Sequence, residues 1–308
     1  MMMDTKDFQT VSELVEDYLL ERLPRPATCH MYREIAQRWV NDTGNDVVEM
    51  ISTEDVREWR GAVLARASAQ TWNLYRRHLR ALWNHAMRCK ACTSNPFADT
   101  APARAPSLRK KTVDSVDLST IIKALRDSDQ SKHNTRPAWF WAIAVKTFYY
   151  TGIRRQQLVE LKWEDINFDE ATIHLRAASS KTHREWYIPI AEPLLPELEN
   201  LLLLTTDRIQ RAPEGEEQVF NVTLFHERFK GTRMTVDQLS STFERLSKAL
   251  KIRITPHRLR HTMATELAAR KDIRTLQQML GHTDIQTTMQ YVHPDIDRMR
   301  NLLDGMSL

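Results

Sequence analysis

Between Thr255 and Tyr291 the chain carries side chains suited to breaking a phosphodiester. The run Thr255-Pro256-His257-Arg258-Leu259-Arg260-His261-Thr262 is followed by Leu280-Gly281-His282 and then by a lone Tyr291. A guanidinium is a planar, permanently charged fork that matches two phosphate oxygens. An imidazole can give or take a proton near neutral pH. A phenol attacks phosphorus once its proton, held with an ordinary pKa of about 10, has somewhere to go. Attack by a protein side chain splits the transfer into two steps and conserves the phosphodiester energy in a phosphotyrosine. That chemistry needs no metal or nucleotide, and the sequence has no Gly-rich phosphate loop.

The elements that must hold these groups are mostly helical. The chain has 308 residues, enough for about two domains. Only seven glycines argue against a turn-rich β protein. The net charge of +4 permits a polyanionic partner without demanding one. No apolar stretch approaches the ~18 residues of a membrane span, and no signal-peptide core follows Met1. A soluble, intracellular protein is expected. Cys89 and Cys92 have metal-ligand spacing with His85 nearby. A structural zinc needs a second ligand pair, and none follows, so free thiols are expected.

Residues 1–100 read as a four-helix bundle. Val11, Leu14, Val15, Tyr18 and Leu19 have helical spacing. Thr28 and Thr53 are candidate caps for the second and third helices, and Gly44 a stop. The fourth helix spans about Ala69 to Lys90. Tyr75, Leu79, Leu82, Trp83 and Ala86 share one face, while Arg76, Arg77, Arg80 and Arg88 spread over the rest. No acid occurs in that helix, and a purely basic face suggests a polyanion partner. A solvated face is the plain alternative. The proline-containing stretch from Asn95, with its linker proper at 101–112, is expected to be extended and to end in the basic run Arg109-Lys110-Lys111.

Residues 113–308 read as helices around a small sheet. An apolar helix follows Pro137 and breaks at Thr151-Gly152. Thr172–Arg176 and Trp186–Ile190 alternate as two strands of a hairpin, whose polar tip holds Lys181, His183 and Arg184. Gln218–Phe220 is a possible short strand. Helices are expected over 193–211 and from about Val236 to Leu250. A tail helix, 294–308, presents Ile296, Met299, Leu302 and Leu303 at helical spacing.

Taken together, these residues resemble the tyrosine recombinases, or phage-type integrases. Thr151-Gly152-Ile153-Arg154 is similar to the family's first arginine motif, and Ser180-Lys181-Thr182 to its hairpin lysine. The run from His257 to Thr262 is similar to its His-x-x-Arg box, and Leu280-Gly281-His282 to the element that follows. Tyr291 stands nine residues after His282, a spacing common in the family. Singly, Tyr291 reads as a packed aromatic and Lys181 as a solvated turn residue. Five elements in family order make that plain reading untenable for the set.

The resemblance implies a fold that is mainly α with a small antiparallel sheet: a helical DNA-gripping bundle and a mixed α/β catalytic domain, closing as a C-shaped clamp. It implies a site-specific recombinase with Arg154, Lys181, His257, Arg260 and His282 around the phosphate and Tyr291 as nucleophile. Arg155 and Arg184 are expected as backbone contacts, and His261 as structural, facing away from the pocket. A homotetramer on synapsed DNA, with possible accessory DNA-bending proteins and no cofactor, is expected. No residues remain before the bundle for a separate arm-binding domain, which favours short core sites.

One position departs from the family pattern. Gln157 stands where an acid is usual, and a glutamine can orient a neighbour but cannot act as a base. An active enzyme is still expected. A type IB topoisomerase-like enzyme and a catalytically impaired DNA-binding regulator stay open as alternatives.

Overall fold

The computed structural model describes residues 9–106, 111–126, 135–177, 184–270 and 272–292. The chain divides into two compact units, Met1–Leu108 and Arg109–Leu308. Among the described residues the protein is mainly α with one three-stranded antiparallel sheet.

The first unit contains α1 (Val11–Arg22), α2 (Pro26–Thr43), α3 (Thr53–Arg66) and α4 (Ala69–Arg88). Thr10 caps α1, and Glu13 closes the reciprocal capping box. Two caps differ from the sequence reading by a few residues. Ser52 caps α3, accepting from the Asp55 amide at 3.2 Å while the Asp55 carboxylate takes the Ser52 amide at 2.8 Å. Thr28 lies inside α2, which starts at Pro26; proline suits a first turn because its missing N–H would have no helical acceptor there. Gly44 ends α2 in the left-handed conformation, as expected.

Four tryptophans dominate the core of this unit. Trp39, Trp72 and Trp83 are fully buried and Trp59 nearly so. His85 is also buried, its Nε2 2.8 Å from Asp17 Oδ2 across the α1–α4 seam. Cys89 Sγ completes a group of donor atoms within 4.8 Å of one another, and Cys92 is not part of it. All three cysteines are free thiols.

The stretch from Asn95 is not extended at its start. Asn95 Oδ1 accepts from the amides of Phe97 and Ala98, and its Nδ2 donates to Arg80 O at 2.9 Å. That turn drives Phe97 into the core against Trp39 and Trp83, with ring centroids 5.2 and 4.8 Å apart. Asn73 then grips Ala103 through both its N–H and its C=O. Burying an aromatic ring outweighs the extended preference of a proline-containing segment.

The second unit contains α5 (Ser115–Arg126), α6 (Ala138–Thr151), α7 (Arg155–Glu160), β1 (Ile166–Asn167), β2 (Thr172–Leu175) and β3 (Trp186–Pro189). It continues with α8 (Leu195–Ile209), α9 (Val236–Leu250), α10 (Pro256–Ala269), α11 (Ile273–Leu280) and α12 (Ile285–Met289). Helix α6 is apolar on every side and is the axis of the core, with Phe140, Trp141, Ala144, Val145 and Phe148 all buried. In the sheet Ile173 faces Ile188 and Leu175 faces Trp186, so one face covers the core. Strand β1 is two residues long, too short for any periodicity to reveal. Gln218 makes only an isolated bridge with Lys162, so the possible strand at 218–220 does not form. The hairpin tip around Lys181 and the tail at 294–308 lie outside the described residues.

Phe97→Ala is expected to destabilise the first unit by about 3–5 kcal/mol in chemical denaturation, as large-to-small aromatic changes in cores do. A loss below ~1 kcal/mol would mean that residues 95–100 behave as a tether.

Candidate active site

Arg154 is presented by a tight turn at the end of α6. Gly152 takes φ +61° and donates its N–H to Phe148 O at 3.0 Å. A Cβ at Gly152 would overlap the Met263 methyl, so the turn needs glycine for space as well as for φ. Arg154 is the residue before α7, and its amide donates to Gln157 Oε1 at 2.8 Å. Gln157 is 1% exposed. It therefore keeps the capping role of an acid at that position without the acid's charge. Arg154 Nη1 is buried and has no hydrogen-bond partner among the described residues.

Helix α10 carries the next three groups. Thr255 caps it, accepting from the Arg258 amide at 3.1 Å, and Pro256 opens its first turn. His257, Arg260 and His261 follow at i, i+3 and i+4, so they lie along one side of the helix. His257 is exposed. Arg260 is only 3% exposed. Its Nη1 donates to Gly152 O, and its Nη2 donates to Leu280 O at 2.9 Å and to His282 Nε2 at 3.1 Å.

His282 follows a second glycine turn. Gly281 has φ +61°, and a Cβ there would sit 2.5 Å from the Trp186 ring. Trp186 Nε1 donates to Met279 O at 3.1 Å, which ties β3 to the end of α11. His282 Nδ1 pairs with Thr288 Oγ1 at 2.9 Å. Tyr291, just beyond α12, is 5% exposed. Its hydroxyl lies 3.0 Å from His261 Nδ1, and its ring is parallel to that of His282, 6.4 Å away.

The site is electropositive and lacks a balancing acid. No carboxylate among the described residues pairs with Arg154 or Arg260. Burial, and then the neighbouring Arg154, bring Arg260 down to about 9, which leaves it charged at neutral pH. Burial, with the two arginines, brings His282 down to about 4, so its imidazole is neutral. Burial raises the Tyr291 phenol, while Arg260 and Arg154 pull it back. An unpaired buried cation is expensive, so this pocket is built to receive an anion.

The structure thus brings Arg154, Arg260, His282 and Tyr291 together, with His257 at the rim. It also places His261 against Tyr291, a partnership the sequence reading did not give it. The signal was there, since His257 and His261 are four residues apart on a helix and their rings meet at 4.0 Å. Lys181, Arg109 and Lys110 lie outside the described residues. Arg155, Arg184 and Lys111 are exposed, as are Arg77 and Arg80. Arg76 bonds the carbonyls of Thr100 and Ala98, and Arg88 pairs with Glu21 at 3.1 Å, so both have partners within the first unit.

A family profile described as the phage integrase family matches residues 111–298. The chain belongs to the phage integrase family. A Pseudomonas syringae protein, provisionally named tyrosine recombinase XerC, is 35% identical over 96% of this chain and 64% of its own length. The chain therefore spans somewhat less than two thirds of that relative. Tyrosine recombinase XerC of Alcanivorax borkumensis is 24% identical over 96% of this chain and 93% of its own. Among solved structures, the fold is shared with the Tn1549 transposon integrase in complex with a circular intermediate DNA (TM-score 0.75, 20% identity, covering 97% of this chain and 100% of that one). It is shared also with a lambda integrase dimer bound to a core site (TM-score 0.70, 21% identity, 94% and 78%). Of the motifs by which the sequence resembled this family, those of Arg154, Arg260, His282 and Tyr291 lie together, while Ser180-Lys181-Thr182 lies outside the described residues. No described helix is long and apolar enough to cross a membrane.

The His282 shift predicts a pH dependence. Its folded value of about 4 lies below the ordinary 6.5. The unfolded chain takes up that proton first as pH falls. The stability contributed by neutral His282 is present above about pH 6.5 and is lost toward pH 4. Thermal melts between pH 7 and 4 should fall more steeply for the native chain than for His282→Gln. Equal slopes would refute this placement of His282.

Proposed function

We propose that the chain is a site-specific DNA recombinase that cuts and rejoins strands through a 3′-phosphotyrosyl intermediate and a Holliday junction. The observation that carries this reading is the meeting of Arg154, whose buried Nη1 has no partner among the described residues, with a buried second arginine and a tyrosine hydroxyl, where no described carboxylate pairs with either arginine. Arg154 and Arg260 hold the non-bridging oxygens of the scissile phosphate and stabilise the charge that grows on them. His282 is positioned by Thr288 and supports Arg260, and His257 contacts the phosphate from the rim. Tyr291 attacks phosphorus. The Lys181 ammonium protonates the leaving 5′-oxygen, and a second DNA end reverses the steps.

Double-stranded DNA is the substrate, a reading supported by the Tn1549 and lambda integrases, which share this fold and are bound to DNA in their structures. Arg77 and Arg80 of α4, with Arg109, Lys110, Lys111, Arg155 and Arg184, bind its backbone. Exchange of four strands calls for four nucleophiles, hence a tetramer on two synapsed sites. The place of action is the cytoplasm, on the nucleoid.

A nicked substrate whose cleaved end diffuses away traps the covalent adduct. The native chain should form it, and Tyr291→Phe should not. Arg154→Ala and Arg260→Ala should each slow it by about 10²–10³, the usual cost of losing one preorganised donor to a developing oxyanion. An adduct that persists in Tyr291→Phe rules out this nucleophile.

A further inference from the structure

We infer that His261 is the group that takes the proton from Tyr291 as the phenol attacks phosphorus. The inference rests on the recombinase reading and assigns a step that the reading leaves without an owner. A phenol with a raised pKa cannot attack as a phenolate at neutral pH, so its proton must leave during the attack.

The imidazoles of His261 and His282 meet the Tyr291 ring, and His257 packs against His261. His282 has both nitrogens engaged: Nε2 accepts from Arg260 at 3.1 Å, and Nδ1 pairs with Thr288 Oγ1 at 2.9 Å. A ring held as an acceptor for a guanidinium has no lone pair to spare. His257 is exposed, in the first turn of α10, where the helix dipole opposes a cationic ring. His261 Nδ1 is 3.0 Å from the Tyr291 hydroxyl, and both residues are 5% exposed. That is hydrogen-bonding range for direct transfer.

The direction of this bond follows from Arg260. The guanidinium next to Tyr291 has donors only, so the phenol oxygen faces it with a lone pair. The phenol proton points the other way, to His261 Nδ1, in the tautomer that carries its own proton on Nε2. In the step itself the Oη–H bond breaks and the Oη–P bond forms. The proton moves to Nδ1 and makes an imidazolium. The P–O5′ bond breaks, and its electron pair goes to the 5′-oxygen, which the general acid protonates. On rejoining, the imidazolium returns the proton to the phenolate. The new cation arises as the phosphoryl oxygens gain negative charge, and the two are close enough to stabilise one another.

The test separates a base from a packing residue. Adduct formation on the nicked substrate is timed for the native chain, His261→Ala and His261→Asn, each with tyrosine and with a more acidic fluorinated tyrosine at position 291. DNA binding and thermal melting identify any variant that fails to fold. Loss of a general base should slow both variants by about 10²–10⁴. Asparagine can still accept the hydrogen bond but cannot hold the proton, so His261→Asn should be as slow as His261→Ala. The fluorinated tyrosine should restore much of the lost rate in both variants and change the native rate little. If His261→Asn reacts at the native rate, or if fluorination changes all three rates by the same factor, His261 only positions the ring and the inference fails. A native chain that forms no adduct overturns the recombinase reading as well.

Discussion

Arg260 is the constraint on which the catalytic unit depends. A guanidinium almost removed from water forfeits several kcal/mol of hydration unless its donors are met. Here they are met by Gly152 O, Leu280 O and His282 Nε2. These acceptors belong to two segments far apart in the chain, the turn that ends α6 and the turn that follows α11, which supplies both the Leu280 carbonyl and the His282 imidazole. Satisfying one buried charge therefore assembles the pocket. The same bonds place that charge beside Arg154, whose own Nη1 is left without a partner.

Two glycines make that assembly possible. Gly152 and Gly281 both take positive φ, and both sit where a side chain would collide, with Met263 in one case and Trp186 in the other. Each turn reverses the chain at the end of a helix and leaves its carbonyl facing Arg260. Trp186 has a second consequence. It stands at the base of the hairpin that carries Lys181 and donates to the last turn of α11. Strand β3 is thereby held against the end of α11, next to His282.

Gln157 shows how a position can keep one function and lose another. Its Oε1 still fixes the Arg154 amide, as a carboxylate would. The charge is gone, so nothing on the floor of the pocket offsets the two guanidiniums. Desolvation and their mutual repulsion act together on Arg260 and His282. A phosphodiester entering this pocket meets no carboxylate among the described residues that competes for the two guanidiniums, which favours binding of the substrate charge.

The sequence by itself determined the helical class, the sheet's two longer strands and the identity of the pocket residues. Apolar spacing, glycine stops and the order of Arg154, Lys181, His257, Arg260, His282 and Tyr291 are local signals, and they survive folding because each is written within a few residues. α9 was legible to its ends for that reason. Other features were decided only by tertiary structure. Phe97 left an extended tether for a core because tryptophans from α2 and α4 offered it a site. Arg76 and Arg88, read as part of a basic face, found partners in carbonyls and a carboxylate that no helical wheel displays. His261 was read as a structural residue facing elsewhere. Its contact with Tyr291 spans thirty residues and two turns, and only the packing of α10 against the segment after α12 could create it.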